Sequence, residues 1–195
     1  MFSYSKMLWF PINIKNPDLK LARVIKTQYG GPYGELGAAL RYLNQRYTMP
    51  DDRGKALLTD IGTEELGHVE MVVTLYYQLM QGATIEQLKE YGLEDHYGQH
   101  GFEIFMTDAM GIPFSVANIG ATGDALADLS ENMAAEEKAR ATYEHLMDLT
   151  DDPDVLGPLS YLRERELIHF ERFKNLYDYY KSQKNILHSN IKNRE

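Results

Sequence analysis

Cysteine is absent from all 195 residues. Without a thiol there is no disulfide framework, no thiolate nucleophile, and no thiolate-held zinc or iron–sulfur cluster. The side chain that peroxide oxidises most readily is therefore missing, although nine methionines remain open to oxidation. Positive charge is also scarce: 20 Lys and Arg stand against 29 Asp and Glu, a net charge of -9 with a pI near 5.2. Such a surface repels phosphate backbones and acidic lipids, so no nucleic acid and no membrane is expected as a partner, while small neutral substrates are unaffected. No apolar run is long enough to span a bilayer, and residues 1–16 interleave aromatic and charged side chains without an apolar signal-like stretch. A soluble protein made in the cytoplasm is expected. Composition does not shift along the chain, and the length suits one domain over 1–195.

What is present is helical periodicity. Residues 1–16, with Phe2, Trp9, Phe10, Ile12 and Ile14, read as an extended, partly apolar arm. Asn16-Pro17-Asp18 predicts a helix start with Asn as the cap and Pro at the first helical position. That first helix extends over about 17–47 and is kinked or broken by Gly30-Gly31-Pro32, where close backbone packing is expected. Pro50-Asp51-Asp52 opens the second, to about residue 81, with Leu58, Ile61, Glu65, His68, Val72 and Leu75 on one face at alternating steps of four and three. Thr84 and Gln87 form a capping box for a short helix. Residues 92–123 are glycine-rich, irregular and far longer than an ordinary connection. The third helix spans about 124–150, and the fourth starts at Asp151-Asp152-Pro153 and ends near residue 181; the tail 182–195 is expected to fray or to serve a subunit contact. The predicted fold is all-α, a ferritin-like four-helix bundle with a long crossover connection between helices two and three.

Two short motifs stand out on these stripes. Glu65-Leu66-Gly67-His68-Val69-Glu70 and Glu166-Leu167-Ile168-His169-Phe170-Glu171 both read Glu-x-x-His-x-Glu, and no other histidine has a glutamate three residues before it. One Glu-x-x-His arises easily by chance. Here 30 residues separate Glu35 from Glu65 and also Glu136 from Glu166, while Tyr42 and Tyr143 each follow a glutamate by seven. The spacing reads as one unit used twice, and a glutamate from each of two helices plus Glu-x-x-His from each of two others is the ligand set of a carboxylate-bridged dimetal bundle. An unpaired carboxylate on an apolar stripe costs several kcal/mol. Arg140 is placed to pair with Glu136, whereas Arg163 and Arg165 lie off the fourth stripe, so cations from side chains are too few. Two divalent metals would neutralise four glutamates, with His68 and His169 as nitrogen ligands. Manganese and iron fit these donors equally. Tyr42 and Tyr143 are candidates to hydrogen-bond the carboxylate two turns away. His96 and His100, four apart in the crossover, read as a solvent-facing or interface pair rather than ligands.

The segments Gly30-Gly31-Pro32-Tyr33-Gly34-Glu35, Thr63-Glu64-Glu65-Leu66-Gly67-His68-Val69-Glu70-Met71 and Thr150-Asp151-Asp152-Pro153 resemble the manganese catalases. The runs over 40–47 and 134–141 are similar to the short spore-coat branch of that family, the CotJC type. The resemblance implies Glu35, Glu65, His68, Glu136 and His169 as ligands of two manganese ions, with Glu65 bridging. It makes Glu166 a catalytic proton acceptor beside the metals, against the symmetry read from spacing, and Tyr42 a hydrogen-bond partner of the ligands. It implies disproportionation of hydrogen peroxide to water and dioxygen by a homo-oligomer, a hexamer, deposited in a spore coat with other coat proteins as partners. Where longer catalases carry an arginine before the third-helix glutamate this chain has Ala135, which implies a more open site, and it lacks their long C-terminal extension. Two other functions are compatible: a structural coat protein stabilised by its dimetal site, and a diiron ferroxidase-like protein.

Overall fold

Asp18, not Asn16, caps the first helix, because its carboxylate accepts from the Leu21 N–H at 2.9 Å while its own N–H is held by the Leu79 carbonyl at 3.0 Å. Asn16 instead bonds Asp152 across the molecule. The computed structural model describes residues 7–101 and 103–192; Phe2, with the rest of 1–6, and residues 193–195 lie outside it. α1 (Leu19–Ile25) and the four-residue α2 (Thr27–Gly30) are followed, after the break at Gly31 and Pro32, by α3 (Glu35–Gln45). The break is a point of close approach, as expected: a Cβ on Gly30 would lie 2.7 Å from the Thr107 carbonyl oxygen, so the crossover backbone rests directly on it. Glu35 is thereby made the first residue of α3.

Asp51 caps α4 (Asp52–Leu79) through the Gly54 N–H. The predicted Thr84–Gln87 capping box opens α5 (Ile85–Glu90). The crossover is more regular than its glycines suggest, since it holds α6 (Glu94–His100) and a single 3-10 turn at Val116–Asn118. Asp124 accepts from the Leu126 and Ala127 N–H groups to start α7 (Ala125–Met147). α8 (Pro153–Lys192) begins with the Asp152 carboxylate bonded to the Asp154 N–H and continues past the expected end near 181, through a stretch that contains no glycine or proline to stop it. No strand is formed among the described residues; Thr107 and Pro113 make an isolated bridge.

α3 packs mainly on α4 and α7 on α8, and the two pairs close into a ferritin-like four-helix bundle. Its interior has two apolar clusters. One gathers Leu21 and Ile25 of α1 with Met71, Leu75 and Leu79 of α4, Leu146 of α7 and Leu159 and Leu162 of α8. The other joins Tyr42 of α3, Leu58 and Ile61 of α4, Leu129 of α7 and Phe173 and Leu176 of α8. The sequence numbers between them on each long helix, 62–70, 130–142 and 163–172, carry the glutamates and histidines. A polar layer therefore lies between two greasy ones, and the chain passes through it in opposite directions on α3 and α7.

Candidate metal centre

Glu65 sits at the middle of that layer and is fully buried. Its Oε2 is 2.8 Å from Nδ1 of His68, one turn along α4, and its Oε1 is 2.8 Å from Nδ1 of His169 on α8. A carboxylate that offers a different oxygen to each of two imidazoles has the disposition of a bridging ligand. Around His68 Nδ1 lie Glu35 Oε2 at 3.5 Å and Glu166 Oε1 at 3.8 Å; around His169 Nδ1 lies Glu136 Oε2 at 3.6 Å. Two donor groups result, Glu35, Glu65, His68 and Glu166 on one side and Glu65, Glu136 and His169 on the other, each with its donor atoms within 4.8 Å of one another.

Every one of these side chains is buried, and Glu65 Oε1, Glu136 Oε2, Glu166 Oε1 and His169 Nδ1 have no hydrogen-bond partner. Leaving a buried polar atom unsatisfied costs about 1–3 kcal/mol, more for a charged one. Hard oxygen donors with two imidazoles suit Mn or Fe in the divalent state, so the residues present fit a pair of such ions. Three of those four atoms, Glu65 Oε1, Glu136 Oε2 and His169 Nδ1, belong to residues that would hold such ions.

The tyrosines are crossed. The Tyr42 hydroxyl, on α3, donates to Glu136 of α7, and the Tyr143 hydroxyl, on α7, donates to Glu35 of α3. Each was expected to reach the glutamate on its own helix. Seven residues of helix span about 10 Å, too far for a phenol to reach back, whereas the antiparallel neighbour brings the other carboxylate alongside.

Charge crowding separates the carboxyls. Burial, then the charge on Glu65, raises Glu35 to about 7, with His68 pulling the other way. Glu136 is raised by burial and Glu65, with His169 opposing. Glu166 is pushed well above the usual carboxylate range by burial and then by Glu35, Glu136 and Glu65, all acting in one direction. Burial would raise Glu65 as well, but His169 and His68 outweigh it and hold this carboxyl well below the ordinary value. Burial opposes charge on the imidazoles, yet the surrounding carboxylates carry His68 well above its usual value and His169 to about 11. The six groups form one proton- or cation-holding unit.

All six predicted positions, Glu35, Glu65, His68, Glu136, Glu166 and His169, meet in this unit, with Tyr42 and Tyr143 bonded to it. Arg140 does not pair with Glu136; it binds Glu137 and Glu144 on the outer face of α7, because Glu136 points inward from the same turn. His100 stacks on Phe105 with centroids 4.2 Å apart and belongs to neither donor group, while the His96 side chain lies outside the described residues. Sequence reasoning missed Glu64 and Arg165. Glu64 is buried, ion-paired to Arg165 at 2.5 Å, and turned toward the far side of both imidazoles. Its spacing of four from His68 was the available signal, masked by the stronger pattern one residue later. The arm places Trp9 edge-on to His68, 6.0 Å between ring centroids.

A family model described as manganese containing catalase matches residues 1–191. The chain is 50% identical to Protein CotJC of Bacillus subtilis (strain 168), covering 94% of this chain and 97% of that one. It is 34% identical to the manganese catalase of Bacillus subtilis, over 87% of this chain and 67% of the relative. Among solved structures, KatB, a manganese catalase from Anabaena, superposes with a TM-score of 0.82 at 31% identity, covering 93% of this chain and 81% of that one.

Proposed function

This chain belongs to the manganese containing catalase family, and from that premise we propose that it is itself a dimanganese catalase converting hydrogen peroxide to water and dioxygen, associated with a spore coat. The observation that carries the reading is Glu65, which turns one oxygen to His68 and the other to His169 at 2.8 Å each in a fully buried layer. Glu35, Glu65 and His68 would hold one ion and Glu65, Glu136 and His169 the other. When bound, a manganese pair supplies two-electron exchange with peroxide and the positive charge that offsets the clustered carboxylates.

The protein's own residues then have distinct tasks. Glu166 is buried beside the ligands, with its Oε1 3.8 Å from His68 Nδ1 and no hydrogen-bond partner, so it is the group placed to take a proton from peroxide and return it to the departing water. Tyr42 and Tyr143 fix Glu136 and Glu35 by donating to them. The apolar clusters on either side keep bulk water from the layer, which strengthens the electrostatic interactions within it.

The test is direct. Protein purified with manganese should hold two ions per chain and evolve oxygen from peroxide, and His68→Ala and Glu65→Ala should remove both metal and activity. Glu166→Gln should keep both ions while slowing turnover at least 100-fold, the order expected for a lost proton-transfer group. Metal-replete protein that evolves no oxygen would sink the catalase reading. A second reading, a structural coat protein whose metals stabilise the bundle, is favoured by the 50% identity to Protein CotJC over 94% of the chain. Normal spore resistance to peroxide together with a defective coat in a deletion strain would select it. Iron in place of manganese, in protein from cells supplied with both, would select a ferroxidase-like role.

A further inference from the structure

Each imidazole in the layer has two ring nitrogens, and only one is turned to the centre. Nδ1 of both His68 and His169 faces Glu65. Nε2 of both is buried without a hydrogen bond of good geometry. Among the described residues one carboxylate comes within ion-pair distance of both: Glu64, with Oε1 3.6 Å from His68 Nε2 and Oε2 3.2 Å from His169 Nε2. Oε1 also accepts from Arg165 Nε at 2.5 Å. We propose that Glu64, braced by Arg165, is a positioning residue that accepts the outer N–H of both His68 and His169 and so presents both Nδ1 atoms to the metals.

The argument is one of proton inventory. A neutral imidazole that ligates through Nδ1 must carry its proton on Nε2. A buried N–H requires an acceptor, and the acceptor's placement fixes the tautomer and the ring orientation. Glu64 lies one turn before His68 on α4 and reaches across to α8, so a single carboxylate ties together the nitrogen ligands of two helices. Arg165, also on α8, supplies the cation that makes a buried carboxylate tolerable there. An ordinary surface ion pair would leave Glu64 in solvent, but its side chain is only 7% exposed. The inference rests on the dimetal reading above, and it adds a residue that contacts neither substrate nor ion.

Because the two oxygens have different partners, the proposal makes a one-sided prediction. Glutamine has the shape of glutamate but one acceptor oxygen and one NH2 donor. In Glu64→Gln the oxygen stays with Arg165 and His68, which present two donors to it, and the NH2 is left facing the His169 N–H. The half-site of Glu65, Glu136 and His169 should therefore weaken alone. Manganese titration of the metal-stripped full chain, followed by the electron paramagnetic resonance of free and bound Mn(II), should show one ion held as in the wild type and one weakened about 10–100-fold, the range typical for such partners. Glu64→Ala should weaken both. A merely structural Glu64 would lower the melting temperature of both variants without separating the two ions, and that result overturns the proposal, as does unchanged affinity for two ions in both variants. If the wild type itself fails to bind two ions, the dimetal reading has failed instead.

Discussion

A phenol that donates to a buried carboxylate relieves part of the cost of burying it. Tyr143 does this for Glu35 and Tyr42 for Glu136. Removing either hydroxyl leaves the carboxyl one partner short in an apolar layer, so Tyr42→Phe and Tyr143→Phe should each lose about 1–3 kcal/mol in urea unfolding. Because each bonds a different half-site, Tyr143→Phe should disturb the His68 half and Tyr42→Phe the His169 half. Lys26 poses the opposite case. It is almost fully buried over the Tyr76 ring, and burial, only partly offset by Asp108, lowers it from 10.5 to about 8. Between about 8 and 10.5 the unfolded chain binds more protons than the folded one, so this residue makes stability rise with pH across that window, while below about 8 its penalty is present in full. Relative to the wild type, Lys26→Met should therefore gain most stability below about pH 8, and the difference should shrink between pH 7.5 and 9.5 in paired urea unfolding. Measurement should stop there, since tyrosines such as Tyr76, raised by burial to about 12, titrate above it and act in the reverse sense.

On the scale of helices, the acidic cap at Asp51 and the alternating stripe of α4 were legible because each is a local effect: a side chain bonding an N–H three residues on, or apolar groups recurring on one face. The duplicated spacing made the buried Glu and His layer legible from the chain alone. What was not legible depended on contacts between elements. Asn16 lost the cap to Asp18 because Leu79, 61 residues away, holds the Asp18 N–H. Glu64 and Arg165, each one residue before a motif glutamate, come together only because α8 lies beside α4. The α6 helix was hidden by Gly98 and Gly101, and this yields a test. A Cβ on Gly98 meets nothing within 4 Å, so Gly98→Ala should stabilise by up to about 1 kcal/mol through the unfolded state. At Gly62 a Cβ would fall 2.8 Å from Leu43 Cγ and 3.2 Å from the Leu43 backbone nitrogen, where α3 crosses α4. Gly62→Ala should therefore destabilise by about 1–3 kcal/mol. Thermal melts of the two variants, opposite in sign, would show that the same substitution reads helix propensity in one element and interhelical distance in the other.

Across the whole molecule, the bundle is divided by a layer in which Glu65 Oε1, Glu136 Oε2 and Glu166 Oε1 keep no hydrogen-bond partner. Glu35, Glu65, Glu136 and Glu166 lie between apolar clusters that gain by burial, and Arg165 is engaged by Glu64 on the far side of the imidazoles. Ions that bind the folded chain alone stabilise it by mass action, about 2.7 kcal/mol per site at 100 times the dissociation constant. For a chain of this size each kcal/mol moves the midpoint by about 2–4 °C, so stripping manganese with a chelator should lower the melting temperature by at least about 5 °C. Ligands must be deprotonated to bind, and Glu35, Glu136, His68 and His169, unlike Glu65, hold their protons to higher pH than usual, so acidification should displace the ions and shrink the difference between stripped and replete protein. The chain carries its own reporter, since its one tryptophan is Trp9, 6.0 Å from the His68 ring. Adding Mn(II) to stripped protein should quench Trp9 emission in step with the rise in melting temperature, and lowering the pH should reverse both together. A melting temperature and an emission that ignore manganese would mean that the layer is held by protons alone.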